Sequence, residues 1–89
     1  MGVNRSNYET HNLIILNDDL HSHEHFANSI KTIFPSFPDI AIRCMCGLIH
    51  KAGSATCARG CVERLELSKM ALEKLGLKCV IERRMEDKS

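Results

Sequence analysis

Leu13-Ile14-Ile15-Leu16-Asn17-Asp18-Asp19 sets a short apolar run directly against an amide and two carboxylates. Four apolar residues with β-branching in the middle, stopped by Asn-Asp-Asp, read as a buried strand leaving a sheet. A strand locked in a sheet holds whatever follows it in a fixed place. Here that is a cluster of acceptors, Asn17, Asp18 and Asp19, suited to a small cation such as the free amino terminus of another polypeptide. The same residue types also make turns by bonding their own backbone, and both readings stand at this point.

Outward from that junction the chain supplies 89 residues, enough for one small domain. Twelve Lys and Arg nearly balance eleven Asp and Glu, and aromatic residues make up 4%. With no basic run and few rings to stack on bases, no nucleic-acid partner is expected. No stretch has the length and apolarity to span a bilayer, so no membrane partner is expected either. Met1 to His11 is polar and lacks signal-peptide character; an organellar transit peptide removed earlier would leave no mark. The five cysteines, Cys44, Cys46, Cys57, Cys61 and Cys79, form an odd set without a framework. That points to free thiols in a reducing compartment, the cytoplasm or an organelle stroma, most of them acting as small core residues.

Residues 1–11 read as a disordered tail, 12–84 as the domain and 85–89 as a second tail. A first helix begins near His23 or Glu24, capped by Ser22, with Glu24 at the positive end of its dipole. Phe26, Ala27, Ile30, Ile33 and Phe34 recur at helical spacing, and Pro35 ends the helix. Ser36-Phe37-Pro38-Asp39 is a second start signal, with Ser36 as the cap. Ile40, Cys44, Leu48 and Ile49 mark the apolar face of a second helix, ending near His50. Lys51 to Ser54 read as a loop and Ala55 to Ala58 as a short strand. A third helix runs from about Cys61 to Leu75, with Cys61, Leu65, Ser68, Leu72 and Leu75 inward. Gly76 is a left-handed stop, and Lys78 to Glu82 form a last strand. The order β-α-α-β-α-β implies an α+β sandwich, a three-stranded antiparallel sheet with three helices on one face.

His50 closes the second helix just before a glycine-containing loop. It reads either as a surface histidine at a helix C-terminus or as a partner of Asn17 and Asp19. Two other chemistries deserve weighing. His21, His23 and His25, alternating as in extended chain, would point one way and suit zinc or copper together with thiolates. Cys44 and Cys46 fall on a helix, where residues two apart diverge, and no Cys-x-x-Cys pair is present. A Cys–His dyad of Cys57 or Cys46 with His50 is conceivable, but no oxyanion-hole motif accompanies it.

Leu16-Asn17-Asp18-Asp19, a glutamate opening a helix (Glu24), and His50 three residues before Gly53 together resemble the ClpS family, over residues 12–83. The resemblance implies a non-enzymatic Clp protease adaptor, expected to be a monomer without cofactors or bound metal. Such an adaptor recognises N-degrons, proteins with a bulky apolar first residue, and delivers them to a ClpA- or ClpC-type AAA+ unfoldase. Carried over by position, Asn17, Asp19 and His50 would bind the substrate's α-amino group, with Asp18 in support. The chemistry is compatible: an α-ammonium, mostly charged at neutral pH, offers three donors, and a carboxylate, an amide oxygen and a neutral imidazole nitrogen offer three acceptors. The apolar pocket would fall on His23, Phe26, Cys46, Ile49 and Leu77. His23 occupies the place of a family methionine that gates the pocket. Phe26 should narrow the pocket and Cys46 should widen it. On the third helix, Glu63 and Glu66 match glutamates that contact the unfoldase; the family's lysine would fall at Ser68, with Lys69 adjacent. The tail at 1–11 is shorter than usual in a family whose tails assist delivery.

Overall fold

Leu13 and Ile15 are completely excluded from solvent because their strand is the middle one of the sheet. The computed structural model describes residues 10–84. Its elements are β1 (His11–Leu16), α1 (His23–Ile33), α2 (Asp39–Ala52), β2 (Ser54–Gly60), α3 (Val62–Lys74) and β3 (Lys78–Arg83), in the order the sequence implies. The sheet order is β2-β1-β3 with both neighbours antiparallel to β1. Leu16 pairs with Ser54 on one side and Lys78 on the other, so the exit of β1 is held from both edges.

Side chains alternate across a strand, and the inward set of the sheet (Leu13, Ile15, Ala55, Cys57, Cys79) joins Phe26 and Ile30 of α1, Ile42, Cys46 and Ile49 of α2, and Leu65 and Leu72 of α3 in one core. All three helices therefore cover the same face. A β-bulge falls at Cys57, since Leu13 pairs with Ala58 but Ile14 pairs with Thr56. The extra residue resets the alternation: Arg59 turns outward and Gly60 inward, beside the Leu65 side chain.

Local signals account for most boundaries. Ser22 caps α1, its Oγ accepting from the His25 N–H at 3.2 Å. Gly53 and Gly76 take φ of 92° and 94° after α2 and α3, a region a side chain disfavours. α2 departs from expectation in two ways. Its cap is Pro38, with no side-chain cap bond, in place of Ser36. Ser36 is drawn into a tight turn instead: the Phe37 N–H bonds the Phe34 carbonyl and the two rings stack at 5.1 Å. The Pro38 carbonyl then accepts from Ala41 and Ile42.

The second departure is the buried face of α2. Ile42, Cys46 and Ile49 are inside, whereas Ile40 and Leu48 are 70% and 53% exposed and Cys44 is exposed. α2 carries two apolar rows, and its rotation is set by the connection to β2. That connection is Gly53 alone, because α2 continues through Ala52 and β2 starts at Ser54; the expected four-residue loop is absent. On α3, Leu65 and Leu72 are buried as expected, while Cys61 is the half-buried N-cap.

Of the expected tails, residues 1–9 and 85–89 lie outside the described residues. His11 belongs to β1, pairing with Gly60 and Arg83, and Thr10 accepts a bond from the Arg84 N–H. Among the described residues no helix is long and apolar enough to cross a membrane.

Candidate functional site

The Asn17 N–H donates to the Gly53 carbonyl at 2.9 Å, which pins the exit of β1 to the turn between α2 and β2. His50 lies on the last turn of α2, three residues before that glycine. Its ring meets the His23 ring edge-on, with centroids 4.2 Å apart and planes at 85°. His23 is the first residue of α1. Three connections thus converge at one end of the molecule: the loop from Asn17 to Ser22, the start of α1 and the end of α2.

Asp18 organises the loop. Its Oδ1 accepts from the backbone N–H groups of Leu20 and His21, at 2.9 and 2.8 Å, and its Oδ2 accepts from the His21 ring at 2.9 Å. The bond from the His21 ring is the chief cause holding the Asp18 carboxyl below its ordinary value; the two backbone bonds add to it and burial opposes it. Asn17, Asp19 and His50 differ from Asp18. None of their side chains has a hydrogen-bond or ion-pair partner among the described residues, and Asp19 and His50 are exposed.

A second histidine pair anchors the loop from behind. His21 and His25 stack with centroids 4.3 Å apart and planes 19° from parallel. His25 Nε2 donates to the Leu75 carbonyl at 2.7 Å, and the His21 ring rests on Gly76, where a Cβ would lie 3.0 Å from Nε2. The metal reading of His21, His23 and His25 does not survive this arrangement. From His23 onward the chain is helix, so the His23 ring turns away from the stacked His21 and His25 instead of joining them on one side. His21 and His25 are bonded to Asp18 and Leu75, while His23 turns to His50. Among the described residues no group of three or more His, Cys, Asp or Glu is arranged to hold a metal ion.

Between α1 and α2 lies an open hollow of about 300 Å³, lined by His23, Glu24, Ala27, Arg43 and Cys46. Two of the expected pocket residues, His23 and Cys46, are on its wall. Phe26, Ile49 and Leu77 are packed into the core instead, each 1–2% exposed. Phe26 sits under the loop, its ring 6.3 Å from that of His21 in an edge-on contact. Glu24, Ala27 and Arg43 were not expected in this site. A helical signal for them exists: Ala27 lies one turn from His23, and Arg43 one turn from Cys46.

Residues 6–80 match the family model of ClpS, the ATP-dependent Clp protease adaptor protein. The chain belongs to the ClpS family. No curated protein matches it. Among solved structures, ClpS2 of Agrobacterium tumefaciens bound to L-phenylalaninamide matches with a TM-score of 0.79 at 21% identity, covering 85% of this chain and 98% of that one. That likeness establishes the fold.

In this ClpS chain the buried thiols do not resemble activated nucleophiles. Burial pushes the Cys46 thiol up, and its Sγ is directed at the His23 carbonyl, 4.0 Å away, not at an imidazole nitrogen. Burial, reinforced by Cys79, pushes Cys57 up to about 12, whereas reactive thiols are shifted down. On α3, Glu63 and Glu66 are exposed beside Leu67 and Met70, which are 69% and 56% exposed. Lys69 is drawn along its own helix to Glu73, at 2.8 Å.

Proposed function

We propose that this ClpS chain is a non-enzymatic adaptor that binds the free amino terminus and bulky first side chain of N-degron proteins and delivers them to a Clp-type AAA+ unfoldase. One observation carries the reading. At a corner held rigid by Asp18, the His21–His25 stack and the Asn17–Gly53 bond, the side-chain acceptors of Asn17, Asp19 and His50 are left without partners among the described residues. Rigid acceptors without internal partners are what a three-donor ammonium requires, and preorganising them lowers the cost of binding. The first side chain would enter the hollow between α1 and α2, starting at His23. Asp18 contributes by positioning, since its carboxylate oxygens already serve the loop. The outer face of α3, with Glu63, Glu66 and Lys69, would meet the unfoldase.

Asp19 is the critical test because it supplies the only full negative charge among the three acceptors. Asp19→Asn should weaken binding of a peptide with a free amino terminus by about 1.5–3 kcal/mol, the scale of one hydrogen bond to a charged group. Isothermal titration calorimetry checks this; unchanged affinity would remove Asp19 from the site.

A further inference from the structure

His50 is exposed on the last turn of α2, and among the described residues no hydrogen bond or ion pair holds its ring. A histidine that presents one ring nitrogen to a ligand is usually oriented by a bond from the other nitrogen to a carboxylate or carbonyl. His21 and His25 have bonds of that kind, to Asp18 at 2.9 Å and to the Leu75 carbonyl at 2.7 Å. His50 has a ring contact in place of one: the His23 ring meets it edge-on, with centroids 4.2 Å apart and planes at 85°. In such pairs the edge of one ring faces the π-surface of the other. His23 can serve as a support because its own place is fixed. Ser22 caps α1 through the His25 N–H at 3.2 Å, which makes His23 the first helical residue. The Phe26 N–H bonds the Ser22 carbonyl at 3.1 Å, and from the other helix the Cys46 Sγ is directed at the His23 carbonyl, 4.0 Å away.

We propose that His23 is a positioning residue for the amine site: its ring holds the His50 imidazole in the orientation that presents a nitrogen lone pair to the incoming ammonium. The inference rests on the amino-terminus reading above and adds to it a residue that acts through His50 instead of touching the substrate amine. An exposed imidazole turns freely about two side-chain bonds, and a ligand that needs one orientation must restrict that freedom as it binds. A ring neighbour placed edge-on restricts it beforehand, and it does so without taking a hydrogen bond from either His50 nitrogen. The role belongs to the ring of His23 and not to its nitrogens, so His23→Phe should preserve it.

The test uses the full chain and one labelled peptide with leucine as its first residue, amine free or acetylated, read by fluorescence anisotropy at neutral pH. His23→Ala should weaken binding of the free-amine peptide about fivefold, the scale of one aromatic ring contact. His23→Phe, which keeps the ring, should stay within about twofold of the native chain. In a His50→Ala background the same His23→Ala change should cost under about twofold, because a residue that acts through His50 then has nothing left to position. An equal cost in both backgrounds would overturn the inference, showing that His23 meets the substrate itself. His23→Phe as weak as His23→Ala would also overturn it, since a ring nitrogen would then be what matters. Native affinity in His23→Ala would do the same while amine-dependent binding stood. Acetylated peptide binding as tightly as free peptide would instead remove the amino-terminus reading, and the inference with it.

Discussion

Asp18 accepts two backbone N–H groups and a histidine ring, whereas its neighbour Asp19 accepts nothing from the described residues. Identical side chains thus take different roles because the chain turns between them, one carboxylate facing the loop's own donors and the other facing out. The difference has a pH signature. Asp18 is held below its ordinary value of 3.8, first by the His21 bond and then by the backbone bonds. A carboxylate with a lowered folded value contributes stability in full above its unfolded value and loses it as pH falls through the folded one. Asp18→Asn, which puts an amide nitrogen where a carboxylate oxygen met a ring N–H, should cost about 1–2 kcal/mol at pH 7. In urea unfolding of both proteins, that gap should close as pH drops below 3.8. A gap unchanged at lower pH would mean that the Asp18 charge does not hold the loop.

At the scale of the element, two glycines with nearly equal backbone angles separate strain from contact. Gly53, at φ 92°, has open space where a Cβ would stand; Gly76, at φ 94°, has the His21 ring there, 3.0 and 3.2 Å from two ring atoms. Gly53→Ala should cost about 1–2 kcal/mol from the left-handed backbone alone. Gly76→Ala should cost more in thermal unfolding and should also weaken peptide binding, because it pushes His21 away from Asp18's loop; the reverse order would contradict the role given to the histidine stack. Element existence was legible in the sequence where a local signal decides it: the Leu13–Leu16 run, the Ser22 cap and the Gly76 stop each act within a few residues. The face of α2 was not legible. Ile40-Cys44-Leu48 and Ile42-Cys46-Ile49 are both apolar rows, and the choice between them belongs to the one-residue connection at Gly53 and to packing against the sheet.

Across the whole molecule, the candidate site exists because distant segments meet. Asn17 bonds Gly53, His23 touches His50, and His25 bonds Leu75, fifty residues away. The polar residues of the site were legible as a family pattern. The pocket was legible only in part, because whether Phe26 and Ile49 line a hollow or fill the core depends on how α1 and α2 lean together. Arg43 and Glu24 read in the sequence as charged surface residues, which they also are. The outer face of α3 carries Glu63 and Glu66 around exposed Leu67 and Met70. If that face docks the unfoldase, changing Glu63 and Glu66 together to Lys should weaken its binding by roughly tenfold or more through like-charge contact. Peptide affinity should be untouched, as measured in parallel on one preparation; loss of both together, or of neither, would contradict the separation of the two surfaces.

The central claim is that a free α-ammonium is what the corner at Asn17, Asp19 and His50 receives. It is tested most directly by titrating one peptide with a bulky first residue in two forms, amine free and amine acetylated. The free form should bind in the micromolar range, on the scale of a few charged hydrogen bonds plus one buried side chain less the cost of association. Acetylation should remove most of it, since Asp19 is then desolvated without its cation. Equal affinity for the two forms would mean that the corner at Asn17, Asp19 and His50 does not receive an ammonium.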